Sequence, residues 1–147
     1  MKVSLKALAV PVFVLTASFI GLAPAHGATP SYYNDCGLAG VVKPKSITQF
    51  CGDGGAGVSN IKWSSWGSTS AKGTGTYYIN GCDPDCADGK ISYSKVNVSL
   101  SGLAKTHGKN YLMKVTVKPL AGERFIWPAS MKPVPTQVTW VTDYWQG

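Results

Sequence analysis

The chain has 147 residues, with 14 Lys and Arg against 7 Asp and Glu, two His, four Cys, 17 Gly and five Trp. Its length is that of one domain. A charged fraction of 14% beside 44% hydrophobic and 11% aromatic residues excludes a disordered chain and predicts a packed core.

Lys2 and Lys6 form a short positive start, and no charged side chain follows from Ala7 to Ala23, a run of 17 residues. Ala23-Pro24-Ala25, or Ala25-His26-Gly27 two residues later, supplies a small-x-small exit. This order describes a secretory signal peptide over residues 1–27, cleaved after Ala25 or Gly27. Pro11 and the small-residue exit favour cleavage over a retained single span, for which the run is at the short limit. The predicted product is a domain of residues 28–147, secreted or cell-wall associated and without a membrane anchor after cleavage. Removing residues 1–27 takes out Lys2 and Lys6, leaving 12 Lys and Arg against 7 acids, a net charge of +5.

The remainder reads as short strands between Gly, Pro, Asn and Asp. Ile47 to Phe50 is a brief strand entering the loop Cys51-Gly52-Asp53-Gly54-Gly55. Ser59 to Trp66 alternates, with Ile61 and Trp63 on one face and Lys62, Ser64 and Trp66 on the other. In the next strand, Ala71 to Ile79, Gly73 and Gly75 leave one face bare, so the ring of Trp63 or Trp66 is expected to lie over it. After a turn region from Asn80 to Gly89, Lys90 to Leu100 places Val96, Val98 and Leu100 inward. Asn110 to Lys118 repeats this with Tyr111, Met113, Val115 and Val117. Arg124 to Trp127 is short, Pro128, Pro133 and Pro135 forbid a long element between residues 128 and 135, and Gln137 to Trp145 closes the chain. Without sustained helical periodicity, the expectation is an all-β domain of six or seven antiparallel strands, a small β-sandwich or barrel-like body.

Cys36, Cys51, Cys82 and Cys86 all follow the leader, and an even count in an exported domain reads as a disulfide framework. Four cysteines allow three connectivities, and pairing of neighbours is favoured: Cys36 with Cys51, Cys82 with Cys86. The spacings C-x14-C and C-x3-C match zinc sites poorly.

Four motifs occur in order: Cys51-Gly52-Asp53-Gly54, Trp63-Ser64-Ser65-Trp66, Ala71-Lys72-Gly73-Thr74-Gly75-Thr76 and Cys82-Asp83-Pro84-Asp85-Cys86-Ala87-Asp88-Gly89. The series resembles a family of small exported proteins of actinobacteria, mycobacteria and streptomycetes among them. It covers about the middle third of the chain and leaves Cys36 outside. The resemblance implies export and an actinobacterial setting, and it carries over no catalytic residue.

Asp83, Asp85 and Asp88 in one turn supply oxygens of the kind calcium takes, although the spacing departs from the EF-hand loop. The competing reading is a turn whose carboxylates cap backbone N–H groups. For hydrolysis, His107 sits in the turn Thr106-His107-Gly108, Glu123 is the sole Glu, and no Gly-x-Ser-x-Gly elbow occurs. Trp63, Trp66, Tyr77, Tyr78, Tyr144 and Trp145 form a candidate stacking platform, with Tyr93, Trp127 and Trp140 in reserve, against the reading that strands simply use aromatics as core. The lysines never form a run, and Arg124 is the one Arg, which speaks against nucleic acid as a partner. The expected function is a non-enzymatic extracellular or cell-envelope interaction module without a cofactor. Anionic cell-wall polymers or an envelope protein are its candidate partners. The alternatives are a secreted cell-wall hydrolase with a scattered site and a calcium-stabilised adhesion-like domain.

Overall fold

The computed structural model describes residues 29–37 and 40–142. The expected signal peptide and its expected cleavage site lie outside the described residues, as do Tyr144 and Trp145. Six strands are present: β1 (Ile47–Thr48), β2 (Ala56–Trp66), β3 (Ala71–Asn80), β4 (Ile91–Thr106), β5 (Lys109–Pro119) and β6 (Val138–Val141). They form one sheet in the order β1-β2-β3-β4-β5-β6, every pair antiparallel, so the body is a curled half-barrel rather than two stacked sheets. No helix occurs among the described residues, hence none long and apolar enough to cross a membrane.

Alternation in β3, β4 and β5 directs one set of side chains to the inside of the curl. Ala71, Tyr77, Ile79, Val96, Val98, Leu100, Val115 and Val117 are buried there with Ala56, Val58 and Ile47. The β4–β5 connection is the two-residue turn His107-Gly108, both at positive φ (45° and 74°). Such a pair matches the right-handed twist of the flanking strands. Arg124 to Trp127 is not a strand. It crosses the inner face as a loop, fixed where Ile126 N–H donates to the Ser94 hydroxyl at 2.8 Å. Phe125 and Trp127 thereby pack on Tyr77, the Trp127 and Tyr77 rings lying 6.2 Å apart and nearly parallel.

Trp66 departs from the alternation expected of β2. Extra residues around Asn60 and at Ser64 bulge the strand against β3, and each bulge resets which face the next side chain takes. Trp66 therefore joins Trp63 on the inner side, their rings edge to face at 4.7 Å. The bare track is used as expected: a Cβ at Gly73 would sit 3.1 Å from the Trp63 ring and 2.6 Å from the Lys62 carbonyl oxygen.

The N-terminal segment closes one end of the curl. Tyr32 N–H donates to Asn110 O at 2.8 Å and its carbonyl accepts from Leu112 N–H at 2.9 Å, a parallel bridge to the edge of β5. On the opposite side the Trp66 indole N–H donates to Ser31 O at 2.8 Å, and the Ser31 hydroxyl bonds Ser68 O. Tyr33, fully buried, pairs with Val41. The Asp35 carboxylate accepts from Thr48 N–H at 2.9 Å, blocking the free edge of β1, as an exposed edge requires. The Cys36–Cys51 disulfide ties this clasp to the end of β1, and Cys82–Cys86 closes the β3–β4 loop, so both expected pairs form.

Burial pushes the Tyr33 and Tyr77 hydroxyls well above the ordinary tyrosine range. Asp35 adds to the rise at Tyr33, where the Trp140 indole offsets part of it, and Tyr78 adds at Tyr77. A raised folded-state value means the unfolded chain loses these protons first, so the stabilisation is complete below about pH 10 and fades as pH rises past it. Melting temperature is expected to fall through this alkaline window, with two tyrosines absent from the folded-state ultraviolet titration. Two additional tyrosinates appearing before unfolding would contradict it.

Candidate ligand-binding face

Pairing across the sheet assembles on the outside of the curl what the linear chain disperses. One row runs Lys62–Thr74–Asn97–Lys118 across β2 to β5, and the next runs Ser65–Lys72–Ser99–Thr116–Thr139 out to β6. On the other side of the first row stand Thr76 and Lys95, then Tyr78 and Tyr93. Beyond the second row, Ser101, Lys114 and Val141 are opposed. Neighbours within a row are about 4.8 Å apart and rows about 6.8 Å apart, by strand geometry. Lys62, Lys72, Lys95, Lys114 and Lys118 are all exposed.

None of the six strands carries Asp or Glu. Among the described residues, none of these five ammonium groups is in an ion pair. Their one close polar contact among the described residues is Lys95 Nζ donating to the Thr76 hydroxyl at 3.0 Å. The hydroxyls of Thr116 and Thr139 bond each other at 3.1 Å, and Ser99 donates to Thr116 O at 3.3 Å. The two main rows floor a shallow trough of about 490 Å³, walled by Pro119 and Ala121, with Lys72 and Lys118 among its lining residues. Such a surface presents unneutralised cations among short hydroxyl side chains, which suits a flat, repeating anionic ligand.

The expected aromatic platform is corrected at three of its six positions. Tyr77 is buried, its hydroxyl donating to Gln49 Oε1 at 2.8 Å. Trp63 and Trp66 line the core, with indole N–H groups bonded to Pro44 O at 2.7 Å and to Ser31 O. Bulged β2 turns both indoles inward, where their area is worth more than on the surface. Tyr78 does face outward, lying over Gly57, where a Cβ would meet its hydroxyl at 2.7 Å. Burial, then Asp35, raises its hydroxyl. Directly opposite it is Tyr93, 54% exposed, so the outward aromatic pair is Tyr78 and Tyr93.

The acidic turn is built by its own backbone. Asp85 Oδ1 accepts from Ala87 N–H and Asp88 N–H, both at 2.9 Å, and Asn80 bonds Cys82 N–H and Cys86 O. Asp83, Asp85 and Asp88 do not converge, and no group of three or more potential metal ligands gathers among the described residues. Asp85 is a capping residue here. His107 lies exposed at the tip of the β4–β5 turn.

The rows were legible only in part. The period-2 spacing of Lys95, Asn97 and Ser99, and of Lys114, Thr116 and Lys118, marks them as co-facial within a strand. Which strands lie side by side, and in what register, needs the pairing itself. No protein-family model, curated protein or solved structure matches this chain.

Proposed function

We propose that the protein is an exported, non-enzymatic interaction module of an actinobacterium that holds anionic cell-wall polymers on its lysine face. One observation carries the reading: five exposed lysines share one face of a sheet whose strands contain no carboxylate. A polymer with repeating phosphate or carboxylate groups gains from each lysine it reaches and releases counterions as it does so. The Ser, Thr and Asn side chains between the lysines donate and accept hydrogen bonds at a regular spacing, and Tyr93 adds an aromatic surface beside Lys95. Two intramolecular disulfides are compatible with an oxidising, extracellular setting.

The test uses isolated cell walls, intact and stripped of their anionic polymers. Retention of the domain is expected on intact walls alone, weakening steeply as salt is raised and releasing no wall fragments. Equal retention on stripped walls, or turnover of the wall, would overturn the proposal.

A further inference from the structure

A second cleft, of about 340 Å³, opens where the β3–β4 loop meets the segment after Trp127. Asp83, Lys90, Ser92, Trp127 and Ser130 line it. Nothing in the lysine-face reading uses these residues. From them the geometry points to a binding site for one neutral pyranose ring of a glycan.

Several features support that choice. Trp127 lines the cleft, and its ring stacks on Tyr77 with Phe125 tilted against it at 5.7 Å, which fixes its orientation. An indole fixed in this way meets the polarised C–H bonds of a sugar with little ordering left to lose. Around it stand one carboxylate, one ammonium and two hydroxyls, a mixture of acceptors and donors suited to the hydroxyls of a sugar ring. Asp83 has no hydrogen-bond or ion-pair partner among the described residues, in contrast to Asp85, which is committed to its turn.

The rim is also fixed in place. Ser130 Oγ donates to Gly81 O at 3.0 Å, Gly81 N–H donates to Lys90 O at 3.0 Å, and Cys82–Cys86 closes the loop bearing Asp83. The volume is at the small end for ligand pockets, about 300–1,000 Å³, which accommodates a single ring. Asp83 and Lys90 balance in charge. The favoured ligand is accordingly uncharged, unlike that of the lysine face, and the two sites respond differently to salt.

The experiment is an NMR titration of the folded domain with methyl glycosides of neutral hexoses and N-acetylhexosamines, at low and at high salt. The expected result is millimolar binding (Kd on the order of 1 mM) by at least one glycoside. Shifts should centre on the Trp127 indole, Lys90 and Ser130 and be unchanged by salt. Asp83→Asn and Lys90→Met, both at exposed positions that leave the core intact, should each weaken it roughly tenfold, the effect of losing one charge-assisted hydrogen bond. No shift with any glycoside, or shifts that neither variant alters, would overturn the assignment. So would binding confined to sugar acids and abolished by salt, which would place the ligand on the lysine face instead.

Discussion

Replacing Cys36 and Cys51 together by Ser is expected to remove about 3 kcal/mol of stability, the loop-closure value for a separation of 15 residues. For a domain of this size that lowers the melting temperature by on the order of 10–20 °C. The disulfide anchors the clasp that closes one end of the curled sheet. Without it, the Tyr32 bridge to β5 and the Ser31 contacts with Trp66 and Ser68 must hold the segment alone. Trp66 is therefore expected to exchange its Ser31 partner for water, with a red shift in its fluorescence before global unfolding. Replacing Cys82 and Cys86 by Ser opens a far shorter loop and costs about 2 kcal/mol by the same relation, with no effect on Trp66. Denaturant melts with Trp fluorescence check both. A loss below about 1 kcal/mol for the first pair, within the scatter of ordinary surface changes, would contradict a stabilising role for the clasp.

Changing Lys62, Lys72 and Lys118 to Gln is expected to weaken binding to anionic wall polymer by on the order of 100-fold at low salt. The slope of log affinity against log salt should become shallower by about 2–3, one released counterion per lysine. The three side chains are exposed, and two of them end the same cross-strand row, so stability should change by no more than about 0.5 kcal/mol for each. The comparison variant changes Lys43, Lys105 and Lys132 to Gln. It removes the same charge from positions outside the two main rows, and it separates a located face from general attraction to a basic protein. If binding depended on net charge alone, the two triple variants would lose affinity equally.

Much of the architecture is written in local pattern. The alternation of Val96, Val98 and Leu100 with Lys95, Asn97 and Ser99 marks β4, and Gly73 announces the ring that covers it. Neighbouring cysteines pair as their order suggests. What is not legible depends on contacts between distant residues. Ser64 is an ordinary strand residue in the sequence, yet as a bulge it moves Trp66 from the outer face to the core. Tyr32 and Tyr33 carry no strand pattern, because a clasp of three residues has no period. Tyr111, the partner of Tyr32, lies far along the chain and becomes a neighbour only once β5 is in place.

The lysines show the same limit. Lys62, Lys72, Lys95 and Lys118 are ten or more residues apart in sequence and read as dispersed, while antiparallel pairing sets them on one surface. The same pairing leaves Tyr93 outward beside Tyr78 and sends Tyr77 inward. Period-2 reasoning separates adjacent tyrosines onto opposite faces but does not say which face is the core.

The most direct measurement is the map of backbone amide shifts when a purified anionic wall polymer is added to the labelled domain. The perturbed residues are expected to trace the two rows from Lys62 to Lys118 and from Lys72 to Thr139, and to return to their free positions as salt is raised. Perturbations gathered instead around the clasp or the β3–β4 loop, or an unchanged spectrum at saturating polymer, would contradict a lysine face that holds the polymer.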